Sequence, residues 1–407
     1  MRLLNDICEL RRETCSPHDS NSGIYVGLEH IDPGQFFLSR HGSPTQVRST
    51  KSRFYAGDVL YGKLRPYLDK AVVAETGGIC STDILVLEPI EVPSWFLCGI
   101  IHSDAFIEHA KQTTYGVNHP RTSWSGIKEF ETMTFALLEQ KKIAAVLLKI
   151  QRAIEMQEKI IQSLRDLKKS TMQYLFTHGL RGEKTKMTKI GEIPESWNVV
   201  QLGSIVGIKH GYAFKSQHFT SDGEYILLTP GSFFEEGGFR DEPEKRKYYS
   251  GVIPEGFVLE EGDLLVAMTE QKRGLLGSSL IVPESGKYLH NQRLGLVQTR
   301  VQSKLSTGFL SHLFNTSRIR QRIEFSATGM KVRHTAPSRI LELSIPLPAL
   351  EEQSDIASAI DALNSKLLAH ESKKAVLQDL FKTTLNKLMT GEIRVSDLDI
   401  DVREVEV

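Results

Sequence analysis

The run Gly57-Asp58-Val59-Leu60-Tyr61-Gly62-Lys63-Leu64 has the outline of a phosphate-binding loop, with glycines that let backbone approach an anion and a lysine to neutralise it. It fails at the chemistry, because Leu64 stands where a Ser or Thr hydroxyl must hold magnesium, and the similar run at Gly262 has no lysine. There is no Gly-x-Gly-x-x-Gly turn for a dinucleotide, and no Asn-Pro-Pro-aromatic or Asp-Pro-Pro-Tyr tetrapeptide to hold a base amine for methyl transfer. Cys8, Cys15, Cys80 and Cys98 contain no Cys-x-x-Cys pair and have no clustered histidines, so they read as small thiols in a reducing compartment. Nothing points to a nuclease built on scattered carboxylates. The expectation is a chain without catalytic residues, metal or cofactor.

The elements that would position binding residues show up in a repeat. Residues 138–181 return at 351–394 with a constant shift of 213 and no gap, and 13 of the 44 pairs are identical, among them Glu139/Glu352, Gln140/Gln353, Ile143/Ile356, Leu164/Leu377 and Arg181/Arg394. One inserted residue in a helix rotates every later side chain by about 100°, so an ungapped repeat of this length marks two copies of one rigid helix. Apolar residues step by three and four along both copies. Ile143, Leu147, Ile150, Ile154, Ile161, Leu164 and Leu167 in the first, and Ile356, Ile360, Leu363, Leu367, Leu377 and Leu380 in the second, form the seam of a coiled coil. Gln157 and His370 share one seam position, where a polar contact could fix register.

Charge supports a pair of opposed helices. The chain carries 50 basic and 50 acidic groups, but residues 138–190 hold 12 and 5 whereas residues 350–407 hold 7 and 12. Helices of opposite balance tolerate lying against each other. At 407 residues, 40% hydrophobic and 25% charged, the composition is that of a soluble globular protein with two to four domains. No apolar run approaches the roughly 18 residues of a membrane span, and the amino terminus does not lead into a signal-peptide core, so a cytoplasmic location is expected.

Upstream of each helix lies a region of mixed structure. The 213-residue offset already holds at Phe96/Phe309, Gly116/Gly329, Thr122/Thr335 and Ser125/Ser338. Further upstream it drifts, since Gly57-Asp58-Val59-Leu60 resembles Gly262-Asp263-Leu264-Leu265. Insertions therefore sit in the front of each module, among strands such as Val59–Tyr61, Ile84–Leu87, Tyr225–Leu228, Leu264–Ala267 and Leu294–Gln298. Variable loops on a repeated scaffold are where binding specificity usually lives. The Lys-rich stretch between the halves reads as a solvated linker, with a minor role on phosphates left open.

This order of module, long helix, linker, Ile193-Pro194-Glu195-Ser196-Trp197 opening, second module, Pro346-Leu347-Pro348-Ala349-Leu350-Glu351-Glu352-Gln353 and second long helix resembles the DNA-specificity subunit of type I restriction-modification systems over nearly the whole chain. Two departures stand out. Phe135-Ala136-Leu137-Leu138-Glu139-Gln140 lacks the prolines of the second copy, and the first module has no counterpart of Ile193 to Trp197.

The resemblance implies an α+β fold with two mixed target-recognition domains, residues 1–137 and 193–349, separated by two long helices, 138–178 and 350–391, that form an antiparallel coiled coil, with a linker at 179–192 and an acidic tail at 392–407. It implies a non-catalytic subunit of a methyltransferase and endonuclease complex, in which each domain reads half of a bipartite site in double-stranded DNA. The helices would space the domains and dock two methyltransferase subunits, with restriction and translocase subunits in the full assembly. Base reading needs side chains that fork onto base edges and others that anchor phosphates. Suitable clusters are Lys63, Arg65 and Tyr67; Tyr115, Asn118, His119, Arg121 and Thr122; Lys272 and Arg273; and Lys331, Arg333, His334 and Thr335. The loops after Gly116 and Gly329 are the foremost candidates, with Arg121 and Arg333 expected to project toward DNA. The near-neutral charge of both modules weighs against a large DNA footprint, and a protein-assembly scaffold without DNA binding is the alternative.

Overall fold

The computed structural model describes residues 1–17, 23–300 and 304–405. The chain divides into two compact units, Met1–Ile161 with His370–Val407, and Gln162–Ala369. Each unit holds one module together with part of both long helices, Leu137–His178 and Leu350–Met389.

In the first unit an antiparallel sheet runs in the order Cys8–Leu10, Ile84–Pro89, Val59–Gly62, Ala71–Val73. Its central strands are buried on both faces, which is why they read as continuous apolar runs. Side chains alternate across it. Val59, Tyr61, Leu85 and Leu87 face the core that includes the helices Ser94–Ile101 and Asp104–Gln112, whereas Leu60, Val72 and Val86 face a second, smaller sheet. Gly57 takes φ +92 at the turn into the central strand, and Asp58 beside it is buried and accepts two bonds from Arg11, at 2.9 and 3.0 Å. The phosphate-loop imitation is thus a turn, an ion pair and a strand, with no helix N-terminus to meet an anion.

The second unit repeats the plan. Its main sheet runs Val206–His210, Leu294–Thr299, Leu264–Ala267, Ser279–Ile281. Leu264 and Val266 point to one core, Leu265 and Ala267 to the other. The smaller sheets differ. In the first unit Lys51–Phe54 pairs with Gly78–Cys80, which pairs in parallel with Tyr25–Val26. In the second, Tyr248–Tyr249 pairs with Tyr225–Leu227, which in turn pairs in parallel with Tyr288–Leu289. The middle strand has changed, in the region where the repeat offset drifts.

The long helices pack antiparallel within each unit. In the first, Glu139 accepts from Nε and Nη2 of Arg394 at 2.7 and 2.6 Å, Gln157 meets His370 at 2.8 Å, and Glu158 pairs with Lys374. In the second, Glu352 is buried and accepts from the Trp197 indole at 3.2 Å and the Leu180 amide at 3.1 Å. Ile143, Leu147, Ile154 and Ile161 form the buried seam as expected, but Leu167 and Leu380, which are repeat equivalents, are each 49% exposed. A straight helix drifts about 20° per heptad from a 3.5-residue repeat, so the buried face turns onto the modules instead. Met172, Leu175 and Phe176 take it over in the first helix, and Phe381, Leu385 and Leu388 in the second.

Two connecting segments depart from the sequence expectation. The stretch read as a solvated linker contains a β-hairpin, Thr185–Thr188 against Gly191–Pro194, because Ile190 and Ile193 are drawn into the second core. The described part of the acidic tail folds back, burying Val395 and Val405 in the first core, while Arg394 lies over the Phe135 ring. This finishes the edge of the module that lacks a Trp197. Among the described residues no helix is long and apolar enough to cross a membrane.

Candidate nucleic-acid interface

In the first unit the candidate loop closes on itself through backbone. Tyr115 and Arg121 exchange N–H to O bonds of 2.9 and 3.0 Å. Gly116 opens the turn with φ +88, and the space of its missing Cβ faces the His119 carbonyl. The Thr122 amide donates to the Lys63 carbonyl at 3.0 Å, and the Arg65 amide to the Pro120 carbonyl at 2.7 Å, so the two sequence clusters are stitched into one surface. Arg65, Tyr67, Tyr115, Asn118 and His119 are exposed on it, and Lys63 and Arg121 are half-buried. Arg121 Nε lies 3.2 Å from Asp83 Oδ1, with both side chains about one-third exposed at 36% and 33%. An ion pair this open leaves the guanidinium accessible.

The Arg65–Tyr67 segment is held from behind. Arg65 and Asp69, at φ 52 and 50, bracket the short turn Pro66–Leu68. Asp69 Oδ1 meets Nδ1 of the buried His102 at 2.6 Å, while Nε2 of that ring meets the Ala71 carbonyl at 3.0 Å. Both ring nitrogens face acceptors, so the imidazole carries two protons. Burial opposes that charge, but the Asp69 carboxylate and the Cys98 sulfur beside the ring together outweigh it and hold the His102 pKa well above the usual value. The ring also stacks on Phe36 at 5.1 Å.

The second unit builds the same loop with different side chains. Thr328 and His334 exchange backbone bonds of 3.0 and 2.9 Å, and the Thr335 amide donates to the Met268 carbonyl at 2.9 Å, matching Thr122 on Lys63. Gly329 has φ +102, and a Cβ there would stand 2.0 Å from the Val332 carbonyl oxygen, so no other residue fits. Lys272, Arg273, Lys331 and His334 are exposed. A cleft of about 390 Å³ separates the 271–273 turn from the loop at 329–333.

Three of the expected site residues have other duties. Thr122 and Thr335 are buried, with their hydroxyls 2.8 Å from Thr113 Oγ1 and 3.4 Å from Ser326 Oγ respectively, so they anchor the loops from inside. Arg333 faces Glu270 across a two-stranded ladder and donates to its carboxylate at 2.9 Å and to the Glu324 carbonyl at 2.8 Å. The other oxygen of that carboxylate accepts the amides of Gly274, Leu275 and Leu276 at 3.0 to 3.1 Å. Glu270 is buried and requires a cation, and Arg333 supplies it. Thus Arg333 braces both walls of the cleft, while Arg121 remains available. Sequence reasoning missed Glu270 and His102 because their partners lie 63 and 33 residues away. The only signal in the sequence was the type of residue, a carboxylate or imidazole within an apolar stretch.

The sequence profile of the type I restriction modification DNA specificity domain matches residues 194–378. The MjaVIII type I restriction enzyme specificity subunit of Methanocaldococcus jannaschii is 26% identical over 355 residues, 84% of this chain and 78% of its own. The putative MjaX specificity subunit of the same organism is 26% identical over 416 residues, 97% of this chain and 93% of its own. The type I restriction-modification S subunit from M. genitalium has the same fold, with a TM-score of 0.58 at 15% identity, covering 95% of each chain.

Proposed function

We propose that this chain, which belongs to the DNA-specificity subunits of type I restriction-modification systems, reads one half of a bipartite site in duplex DNA with each of its two modules. The chain is the non-catalytic, sequence-reading component, and its partners are other subunits of the restriction-modification assembly. Two modification subunits docked on the paired helices, with the helices setting the spacing between half-sites, complete the reading.

The observation that carries the assignment of the reading surface is the loop built twice. Residues 115–121 and 328–334 share one backbone hydrogen-bond pattern and one positive-φ glycine, contain no acidic residue, and present different side chains. A constant backbone with variable side chains is what two readers of different base sequences require. In the first module Arg65, Tyr67, Tyr115, Asn118, His119 and Arg121 contact bases and phosphates, with Lys63 behind them. In the second, Lys272, Arg273, Lys331 and His334 do so, held in place by Arg333. The buried hydroxyls of Thr122 and Thr335 support the loops.

Competition binding by the assembled complex, with cognate and scrambled duplexes at several salt concentrations, tests this. The reading expects cognate preference at every salt concentration and affinity that falls as salt rises, because phosphate contacts release counterions. Binding without sequence preference would overturn the reading of sequence, and no salt-dependent binding to either duplex would return the chain to the scaffold alternative.

A further inference from the structure

The two loops share one further feature that polar recognition does not explain. Val117 is 97% exposed and Met330 is 100% exposed. They are repeat equivalents, each directly after the positive-φ glycine. An apolar side chain held outside the fold gains nothing from water, and the same choice at the same place in two otherwise divergent loops points to a contact made outside the chain. Their surroundings select its chemistry. Asn118 and His119 flank the first tip and Lys331 flanks the second, with Arg65 and Arg273 on the segments packed beside them. An apolar point on a loop that itself holds no acidic residue, with Arg65 beside the first and Lys331 and Arg273 beside the second, suits a polyanion with an apolar group exposed between its phosphates.

We propose that Val117 and Met330 are specificity-determining residues whose side chains touch the 5-methyl group of a thymine in the major groove, one in each half-site. The inference rests on the DNA-reading function above and adds a base identity to it. Thymine is the base whose edge carries a methyl group there, and apolar contact is how proteins distinguish it. Val117 ends at its γ-methyls, and its loop is closed below by the Tyr115–Arg121 pair, so it makes a shallow contact with a groove edge and does not wedge between stacked bases.

The test uses the full chain assembled with its modification subunits and duplexes in which each half-site thymine is replaced in turn by deoxyuridine, which lacks only that methyl group. For wild type, one replacement in each half-site lowers affinity about fourfold, the value of one buried carbon group. Val117→Asn and Met330→Gln replace the apolar ends by amides at solvent-exposed positions, and each becomes indifferent to the replacement in its own half-site while keeping its response in the other. Indifference of wild type to every deoxyuridine duplex overturns the inference, as does an undiminished deoxyuridine effect in both variants. So does equal weakening of thymine and deoxyuridine duplexes by the variants, the result expected of a wedge. In each of those outcomes preference for the cognate over scrambled DNA persists and the reading function stands. Absence of any cognate preference overturns both.

Discussion

Gln157 and His370 occupy the same place in the two copies of the helix repeat, and they touch each other, with Gln157 Oε1 2.8 Å from His370 Nδ1. An amide oxygen only accepts, so Nδ1 carries the proton. Two like helices running antiparallel bring an equivalent pair into contact at one level, and this pair marks it. Gln157 is buried there, so a shift in register would strand a polar group.

Gln157→Leu alone therefore leaves His370 without its acceptor and costs about 1–3 kcal/mol, whereas Gln157→Leu with His370→Leu recovers most of that loss, because removing both partners avoids an unsatisfied group. Thermal unfolding of these two variants and of His370→Leu alone checks this. A double variant as unstable as the sum of two damaging single changes contradicts a direct bond.

The His102–Asp69 contact predicts a pH dependence. The folded pKa of His102 lies above its unfolded value, so its stabilisation is fully present below about pH 6.5 and is lost as pH rises through the folded pKa. Wild type should lose stability on the alkaline side more steeply than His102→Gln, and the Arg65–Asp69 segment should exchange its amides faster there. Parallel pH profiles of Tm would mean that the ring is not held charged.

Much of this architecture was legible in sequence. A rigid helix tolerates no insertion, so Leu137–His178 and Leu350–Met389 left an ungapped record, and Gly116 and Gly329 stood out because only glycine meets the conformation they adopt. Side-chain roles inside the loops were less legible. Thr122 and Thr335 look polar and therefore available, but backbone geometry turns them inward toward Thr113 and Ser326. Arg333 looks like a base reader until Glu270 is placed opposite it by strand pairing. The exchanged middle strands of the small sheets were hidden for a related reason, since pairing choices among strands of two to four residues depend on contacts distant in the chain.

Arg121 and Arg333 should consequently separate on mutation. Arg121→Ala weakens cognate binding by about 1–3 kcal/mol with little change in Tm, as loss of an arginine fork on a guanine does. Arg333→Ala leaves a buried carboxylate without its cation and costs about 3 kcal/mol of folding stability, with binding lost through disorder of the cleft walls. Calorimetry beside competition binding distinguishes them, and identical behaviour of the two variants would contradict the division of roles.

Gly329→Ala places a methyl group against the Val332 carbonyl in a backbone region closed to alanine. The loop must open, so reading of one half-site should fail while the long helices still assemble with their partner subunits. Co-purification of the variant with those subunits, together with unaltered cognate affinity, would remove the loop from the reading surface.

The central claim is that this chain decides which DNA sequence its complex modifies. Genome-wide mapping of methylated adenine in cells carrying the modification subunits, with wild-type chain, Gly329→Ala or no chain, tests it most directly. The account predicts a two-part motif that appears only with the wild-type chain and loses the identity of one half in Gly329→Ala. The same motif without the chain, or a motif unchanged in the variant, would contradict it.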